Sequence, residues 1–282
     1  MKPLECTIGS LLKRTAVLGA VSDSPRLDVE LLLAHVMGKT RTYLYTWPQC
    51  ALSDDQVVAF NQLLKRRLDG EPVAYLIGVR DFWSLSLEVD ASTLIPRPET
   101  EVLVETALGL VNLPSARVLD LGAGTGAIAL ALATERPGWQ VLAVDVLPEA
   151  VALAERNRRK HDLNNVTVTV SNWFADLPDQ RFDLLVSNPP YVDPDDPHLE
   201  EGDVRFEPRS ALVAANAGFA ALEVIINGAP ACLDRGGWLV LEHGFDQAAK
   251  VQAMMRDAGF VDLATARDPQ GHERVSYGRQ PG

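Results

Sequence analysis

The chain has 282 residues, of which 47% are hydrophobic and 23% are charged. This composition is typical of a folded globular protein, and the length suits one main domain with a smaller appendage. Lys and Arg number 26 against 38 Asp and Glu, which gives a formal net charge of -12. Because a duplex-binding protein needs a basic surface to neutralise phosphates, this charge argues against a general DNA- or RNA-binding protein.

The cysteines and histidines form no pattern that indicates a disulfide framework or a metal site. The three cysteines are scattered without a Cys-x-x-Cys spacing, which is typical of reduced thiols. The five histidines lack the spacing of metal ligands, so we predict no bound metal. The apolar stretch 16–21 is too short for the core of a signal peptide, and no segment approaches the ~20 apolar residues that span a bilayer. The sequence therefore predicts a cytoplasmic protein without a membrane partner.

Residues 1–80 are predicted to form a small helical domain. Ser24 and Pro25 predict a helix start, with a capping residue followed by proline at the first helical position. Ser53 and Gln56 have the three-residue separation of a capping box, which predicts the start of another helix. Each helix is expected to end at the next glycine. Since this region carries few residues suited to catalysis, we interpret it as a partner-recognition or orienting domain.

The remaining chain is predicted to contain a linking β-hairpin at 81–95 and an α/β domain at 96–282. Pro98 is well placed to open a helix with an acidic first turn. After residue 117, short apolar runs alternate with helical stretches, which predicts a parallel sheet covered by helices on both faces. The predicted strands are Val118–Leu121, Gln140–Asp145, Val166–Val170, Phe182–Ser187 and Trp238–Glu242.

A glycine-rich turn follows the first strand of this domain and precedes a helix. Glycine lets the backbone turn tightly and approach a ligand without a Cβ collision. Such a turn can hold a nucleotide-like cofactor, although a strand-to-helix turn that binds nothing has the same pattern. The turn consists of Gly122, Ala123, Gly124, Thr125 and Gly126.

An acidic residue, Asp145, ends the next predicted strand. A carboxylate at that position can accept hydrogen bonds from both ribose hydroxyls of an adenosine. The alternative is a charge that stabilises the start of the helix near Pro148. A glycine turn with a ribose-binding acid fits both nicotinamide dinucleotides and S-adenosylmethionine, and these two motifs do not decide between them.

The segment Asn188-Pro189-Pro190-Tyr191 follows the fourth predicted strand and indicates a reaction at a planar nitrogen. An amide nitrogen is a poor nucleophile because its lone pair is delocalised, so it must be held in line with the breaking bond. Asn188 and Pro189 offer a side-chain and a backbone oxygen as acceptors for its hydrogens, and the prolines fix the backbone. Tyr191 offers a flat face for stacking. The segment therefore favours N-methylation by positioning and electrostatics, although an ordinary turn has a similar sequence.

These motifs resemble those of the HemK/PrmC family of peptide chain release factor glutamine methyltransferases, over nearly the whole chain. The Asn-Pro-Pro-Tyr segment alone is shared with adenine-N6 methyltransferases of DNA and RNA. The Pro-Arg-Pro-Glu-Thr-Glu segment at 96–101 and the helical domain narrow the resemblance. Further matching stretches are Glu71–Tyr75, Trp173-Phe174, Phe206-Glu207-Pro208 and Glu273-Arg274-Val275.

The resemblance implies a Rossmann-like class I S-adenosylmethionine-dependent methyltransferase sheet with a small helical domain and a linking hairpin. The implied substrate is the glutamine of the Gly-Gly-Gln loop in class I release factors, and the product is N5-methylglutamine. Trp173 would pack beside the adenine of the cofactor. The implied cofactor-binding residues are Gly122, Ala123, Gly124, Thr125, Gly126, Asp145, Trp173 and Asn188, and the implied catalytic residues are Asn188, Pro189, Pro190 and Tyr191.

One departure from the family pattern concerns Asn172, where relatives often carry an acid. If an acid there binds the adenine amino group, the Asn172 side-chain oxygen is the atom that would replace it. Arg97 and Glu207 are expected either to order the region around the site or to act as structural ion-pair partners.

The loop after the Asn-Pro-Pro-Tyr segment is acidic. Its carboxylates would repel a nucleic acid and attract a basic protein loop, although a solvated loop without a partner has the same composition. The acids are Asp193, Asp195, Asp196, Glu200, Glu201 and Asp203, against the basic residue Arg205.

Three other functions are compatible with parts of the sequence. An adenine-N6 methyltransferase would need a basic groove that the composition does not supply. A non-catalytic S-adenosylmethionine-binding adaptor would have no need of the Asn-Pro-Pro-Tyr segment. A nicotinamide dehydrogenase would need a proton-relay pair, and none stands out.

Overall fold

The structure, a computed structural model, describes residues 6–177 and 179–282. The chain divides into two compact units. The first consists of the described part of Met1–Val79 together with Pro197–Phe206, and the second of Arg80–Asp196 and Glu207–Gly282. The sequence prediction placed 197–206 in the domain 96–282, whereas this segment is part of the first unit. Residues 1–5 of the predicted domain 1–80 lie outside the described residues.

The first unit is built from short helices around an apolar core in which Leu33, Phe60 and Leu64 are buried. Proline at the first position opens the second helix, as predicted, but the Ser24 side chain makes no capping bond. Its α-helices are α1 Ile8–Leu11, α2 Pro25–Met37, α3 Arg41–Thr46, α4 Asp54–Leu68 and α5 Val73–Ile77; the 3-10 helices are Leu12–Leu18, Pro197–Glu200 and Val204–Phe206.

The predicted capping box at the start of α4 is confirmed. The Ser53 hydroxyl accepts from the Gln56 N–H at 3.2 Å, and the Gln56 side-chain oxygen accepts from the Ser53 N–H at 3.0 Å. Two of the backbone donors that a helix start leaves unpaired are thereby satisfied.

A buried guanidinium connects three parts of the first unit. Arg67 of α4 is 4% exposed, and its Nε donates to Asp28 of α2 at 2.7 Å. Its Nη1 donates to Asp203 at 2.7 Å, and also to the backbone oxygens of Gly70 and Glu71. Charge pairing and hydrogen bonding together satisfy this buried cation and hold segment 197–206 in the unit.

The second unit begins with a two-stranded sheet, β1 Val79–Phe82 and β2 Leu85–Glu88. The predicted hairpin is therefore present, but it covers residues 79–88 rather than the predicted 81–95. The main sheet contains β3 Arg117–Leu121, β4 Gln140–Asp145, β5 Val166–Val170, β6 Phe182–Ser187, β7 Leu233–Glu242, β8 Val261–Arg267 and β9 Glu273–Arg279.

The strand order of the main sheet is β5-β4-β3-β6-β7-β9-β8. The five strands from β5 to β7 are parallel, as predicted. Beyond the five predicted strands the sheet continues with β9 and β8, and β9 is antiparallel to both β7 and β8. The two strands were missed because β8 is partly exposed along its length and β9 mixes apolar with polar and charged residues.

Helices cover both faces of the sheet. Alternate strand residues point to opposite faces, so Val118 packs with α6 and α7 while Leu119 packs with α10 and α11. The helices of this unit are α6 Glu101–Leu110, α7 Ala127–Glu135, α8 Pro148–Lys160, α9 Arg209–Leu212, α10 Ala220–Cys232 and α11 Ala248–Asp257, with a 3-10 helix at Pro98–Thr100. Within residues 6–177 and 179–282, none of the helices has both the length and the apolar character needed to cross a membrane.

The sheet brings the three predicted motifs to one edge. Strand β3 lies between β4 and β6, and Leu121 is in register with Val144 and with Ser187. The glycine turn, Asp145 and the Asn-Pro-Pro-Tyr segment therefore start at the carboxyl ends of three adjacent strands. The crevice outside such strand ends is where open α/β sheets bind ligands.

Candidate functional site

A cavity of about 180 Å³ opens at this edge of the sheet. Most of the predicted site residues line it, but Gly126, Pro189 and Tyr191 do not. The lining includes Gly122, Ala123, Gly124, Thr125, Asp145, Trp173, Asn188 and Pro190 from the prediction, and Arg97, Thr100 and Asn172 in addition.

The glycine turn is fixed by backbone hydrogen bonds and by close packing. The N–H groups of Gly122 and Ala123 both donate to the Val144 oxygen at 2.9 Å. Gly126 has φ +83°, and a Cβ there would lie 3.3 Å from Ala154. Glycine is therefore required at the end of the turn by backbone conformation and by its contact with α8.

The fully buried Asn157 of α8 supports the turn from behind, and sequence reasoning missed it. Its Nδ2 donates to the backbone oxygens of Thr125 and Glu88, each at 3.0 Å, and its Oδ1 accepts from the Glu88 N–H at 2.7 Å. This side chain joins the glycine turn to β2. No local sequence signal distinguishes it from the other polar residues of α8.

Asp145 faces the cavity from the end of β4. Its Oδ2 accepts from the Gly124 N–H at 2.9 Å, and its Oδ1 accepts from the Leu147 N–H at 3.0 Å. Each carboxylate oxygen retains a lone pair, so the group can accept further hydrogen bonds from a ligand. The bond to Leu147 also places a negative charge just before α8, so the two interpretations of Asp145 are compatible.

Trp173 forms an apolar wall beside the turn. A Cβ on Gly122 would lie 3.7 Å from its ring, so the absence of a side chain at that position lets the indole approach the backbone. The Ser171 hydroxyl orders this corner by donating to the Trp173 oxygen at 3.0 Å and accepting from the Asp176 N–H at 3.2 Å. Asn172 is exposed at the cavity rim.

Asn188 is held from both sides at the end of β6. The preceding Ser187 hydroxyl donates to the Leu121 oxygen at 2.6 Å, which ties β6 to β3. The Asn188 Nδ2 donates to the Thr100 hydroxyl at 3.1 Å. The Asn188 Oδ1 makes no hydrogen bond to the described residues and is therefore free to accept one from a ligand.

Tyr191 is part of the wall behind the cavity. Its ring packs against the core beneath α10 and α11, and its hydroxyl donates to Glu242 Oε1 at 3.2 Å. Its backbone N–H donates to Leu212 and its backbone oxygen accepts from Gln247. Burial raises the pKa of the Tyr191 hydroxyl, so this group is a neutral donor at ordinary pH. Its predicted stacking on a planar substrate stays a prediction.

Glu242, at the end of β7, is 1% exposed and was missed as a site residue. Burial raises the pKa of its carboxyl to about 7, against the opposing effects of Thr100, Tyr191 and Arg274. An acid at the carboxyl end of a central strand is the signal by which it could have been found.

Arg97 and Glu207 form an ion pair beside the cavity. The Glu207 carboxyl is buried and also accepts from the Ile95 N–H at 3.0 Å. The pair thereby connects the Pro-Arg-Pro segment to the residue that follows segment 197–206. The predicted ion pair is therefore present, and the ordering role stays a prediction.

The largely parallel sheet, with a glycine turn after β3 and an acid at the end of β4, is compatible with a class I methyltransferase fold, and the comparisons with known proteins show that fold. Residues 11–78 match the PrmC N-terminal domain family, and residues 98–201 match the methyltransferase small domain family. The chain belongs to the family of release factor glutamine methyltransferases, as the following identities establish.

Two curated relatives and one solved structure document this similarity. The release factor glutamine methyltransferase of Salmonella typhimurium is 55% identical over 258 residues, covering 92% of this chain and 93% of that protein. The Shewanella oneidensis protein of the same name is 49% identical, covering 100% of this chain and 99% of its own. A methyltransferase from Pyrococcus furiosus shares the fold with TM-score 0.55 and 18% identity, covering 79% of this chain and 100% of its own.

Proposed function

We propose that this chain transfers a methyl group from S-adenosylmethionine to the side-chain amide nitrogen of a glutamine. The substrate glutamine is that of the Gly-Gly-Gln loop in class I release factors, and the products are N5-methylglutamine and S-adenosylhomocysteine. Family membership supports the reaction. The observation that carries the proposal is that Asn188 lines the same cavity as the glycine turn and Asp145, while its Nδ2 donates to Thr100 and its side-chain oxygen is left to accept.

The cofactor is proposed to bind along the glycine turn. Asp145 would accept the ribose hydroxyls with its remaining lone pairs, and the Trp173 indole would lie against the adenine. The exposed Asn172 amide is placed at the rim, where it can meet the adenine edge. Bound there, S-adenosylmethionine supplies a methyl group activated by attachment to a sulfonium.

The protein's own residues would position the glutamine amide. Asn188 Oδ1 would accept one of its hydrogens, which helps to hold the nitrogen lone pair toward the methyl carbon. The Pro189 backbone oxygen is the predicted second acceptor, although Pro189 does not line the cavity. As the nitrogen–carbon bond forms, the carbon–sulfur bond breaks and its electron pair stays on sulfur. The amide proton then leaves to water. No strong base is needed at this point, because the nitrogen becomes acidic once it is alkylated.

Recognition of the release factor is proposed to involve the helical first unit and the acidic segment, which is the loop of residues 193–203 after the Asn-Pro-Pro-Tyr motif. The negative carboxylates favour a basic protein loop and disfavour a nucleic-acid strand. A translation factor as substrate also implies a cytoplasmic location. We expect no membrane partner. The adenine-N6 reaction, which shares the Asn-Pro-Pro-Tyr segment, is the alternative outcome that the following experiment separates.

The test is methyl transfer from labelled S-adenosylmethionine to a purified, unmethylated class I release factor. A release factor with Gln→Glu in the Gly-Gly-Gln loop serves as the matched substrate, and adenine-containing DNA and RNA are assayed in parallel. The proposal requires label on the parent factor and none on its variant. Label on nucleic acid alone would establish the alternative, and equal label on both factors would exclude the glutamine as the target.

A further inference from the structure

We infer that Glu242 is a positioning residue for this reaction, acting through the Thr100 hydroxyl to hold the Asn188 amide with Oδ1 toward the cavity. Glu242 itself is outside the cavity lining, whereas Thr100 and Asn188 are part of it. The inference rests on the proposed function, since it concerns how that reaction's acceptor is oriented.

The contacts form a short relay. Asn188 Nδ2 donates to Thr100 Oγ1 at 3.1 Å, and Thr100 is 4% exposed. The Thr100 hydroxyl is near enough to the Glu242 carboxyl to favour its charged form and so to lower its pKa. The carboxyl Oε1 accepts from the Tyr191 hydroxyl at 3.2 Å. Its Oε2 is buried and has no hydrogen-bond partner among the described residues. In the proposed relay, the hydrogen of the Thr100 hydroxyl is assigned to this oxygen.

The direction of this relay follows from the donor inventory of its members. An ionised carboxylate only accepts hydrogen bonds, so the single hydrogen of the Thr100 hydroxyl is directed to Glu242. The Thr100 hydroxyl can then only accept a hydrogen bond from Asn188. The donor of the Asn188 amide is Nδ2, so Nδ2 must face Thr100. The carboxylate therefore determines which end of the Asn188 amide faces the substrate.

A neutral group in place of the carboxylate would remove this constraint. A protonated Glu242 can donate to Thr100, whose hydrogen is then free to bond Asn188 Oδ1. The rotated amide would present two N–H donors to the substrate –NH₂ group, which also donates. Opposed donors in a buried site leave both groups unsatisfied, and the substrate would lose its acceptor.

The groups around Glu242 set the pH range in which the relay works. Burial raises the pKa of the carboxyl to about 7 and the nearby Glu99 acts in the same direction. Arg274 of β9, the Thr100 hydroxyl and the Tyr191 hydroxyl act in the opposite direction. The charged form is lost as the pH falls through this value, so turnover by the intact chain should decline below about pH 7.

The experiment compares Thr100→Val, Thr100→Ser and Glu242→Gln in the full chain, with release factor and S-adenosylmethionine both saturating. Valine matches threonine in shape but lacks the hydroxyl, so kcat should fall roughly 10- to 100-fold, as expected for a misplaced catalytic group. Serine restores the hydroxyl and should recover most of that loss. Cofactor affinity, measured by calorimetry, should change less than about threefold, because the relay contacts the glutamine acceptor rather than the cofactor.

Glu242→Gln tests the charge separately from the hydroxyl. It should lower kcat and flatten the pH dependence of kcat below pH 7, since no carboxyl remains to titrate. A merely structural role of Glu242 would change stability without changing the shape of that profile. Melting temperatures of all variants are recorded so that a folding defect is recognised.

Several results would overturn the relay. One is a folded Thr100→Val with the kcat of the intact chain, and another is Thr100→Ser as impaired as Thr100→Val. If the valine variant does not fold, an unchanged pH profile in Glu242→Gln decides against the relay. An intact chain that transfers no methyl group to the release factor would instead refute the proposed function, and with it any role of the relay in this reaction.

Discussion

Asn188 is the residue on which the proposed chemistry depends most. We predict that Asn188→Ala lowers turnover by at least about 100-fold, because the amide loses an acceptor that holds it in line with the methyl carbon. Cofactor affinity should stay within about threefold of the intact chain, since the glycine turn and Asp145 are untouched.

Single-turnover methyl transfer and calorimetric titration with S-adenosylmethionine measure the two effects of Asn188→Ala separately. Asn164→Ala is the matched control, because Asn164 is exposed and does not line the cavity. Turnover by Asn188→Ala equal to that of the control would remove Asn188 from the mechanism.

Asp145 should determine cofactor affinity rather than the chemical step. Asp145→Ala removes the ribose acceptor and also leaves the Gly124 N–H without its partner. The loss of charge-assisted hydrogen bonds predicts an affinity about 10- to 100-fold weaker. Calorimetry with S-adenosylhomocysteine measures this directly.

Glu149→Ala provides the control for Asp145. Glu149 is an exposed acid in the first turn of α8, so its removal tests a general charge effect at that helix start. Equal losses in both variants would contradict the ribose assignment and favour the helix-start interpretation of Asp145.

Local sequence allowed the glycine turn, Asp145 and Asn188 to be chosen, because each motif is contiguous and its chemistry follows from a few neighbouring residues. Thr100 and Asn188 are 88 residues apart, so their hydrogen bond exists only after the sheet has formed. Asn157 could not be predicted for the same reason, since its hydrogen-bond partners are 32 and 69 residues away in the sequence. Long-range pairing of ordinary polar residues leaves no periodic signal in a sequence.

At the scale of elements, the buried Asp120 near the end of β3 makes the free energy of unfolding depend on pH. Burial raises the pKa of Asp120 to about 7, with a smaller contribution in the same direction from Asp145 and an opposing hydrogen bond from the Ala129 N–H. The folded state thus binds a proton that the unfolded chain releases near pH 4. Unfolding free energy should therefore fall as pH rises from about 4 to 7.

Asp120→Asn should reduce that decline. One titrating group contributes up to about 1.4 kcal/mol per pH unit to the slope, and the neutral amide contributes nothing. Urea unfolding between pH 4 and 8 measures the slope in both chains. Glu155, whose pKa is lowered to about 2 chiefly by hydrogen bonding to Arg158, acts only at lower pH and does not interfere. Parallel curves for the two chains would contradict the assignment.

The connection between β6 and α10 requires glycine at position 218. Gly218 has φ +83°, and a Cβ there would collide with the Tyr191 backbone oxygen. Gly218→Ala should therefore lower both stability and turnover, because it displaces the segment that carries Asn188. Gly236 has φ +81°, and no atom of the residues that the structure describes lies within 4 Å of its Cβ position, so Gly236→Ala isolates the backbone strain.

The two alanine variants are compared by urea unfolding and by methyl transfer. We expect Gly236→Ala to lose about 1–2 kcal/mol of unfolding free energy at normal turnover. Gly218→Ala should lose clearly more, with reduced turnover as well. Equal behaviour of the two variants would mean that the contact with Tyr191 imposes no constraint.

At the scale of the whole molecule, alternation of apolar runs and helices was enough to predict five parallel strands and their helical layers. It could not reveal β8 and β9, because these strands carry polar residues and lie at one edge of the sheet. It also could not reveal that segment 197–206 belongs to the first unit. That membership depends on Arg67, which reaches Asp203 across 136 residues of sequence.

The negative charge of the whole chain suits the partner that we propose. The net charge of -12 and the acidic segment after the Asn-Pro-Pro-Tyr motif favour a basic protein loop over a nucleic acid. The role of the helical unit in recognising that partner is our proposal.

The most direct test of the central claim is to locate the transferred methyl group in the product. An unmethylated class I release factor is incubated with the chain and S-adenosylmethionine, digested, and sequenced by fragmentation mass spectrometry. Our account predicts a single added methyl on the glutamine of the Gly-Gly-Gln loop, released as methylamine on acid hydrolysis. A methyl group on any other residue, or none on that glutamine while nucleic acid becomes methylated, would contradict it.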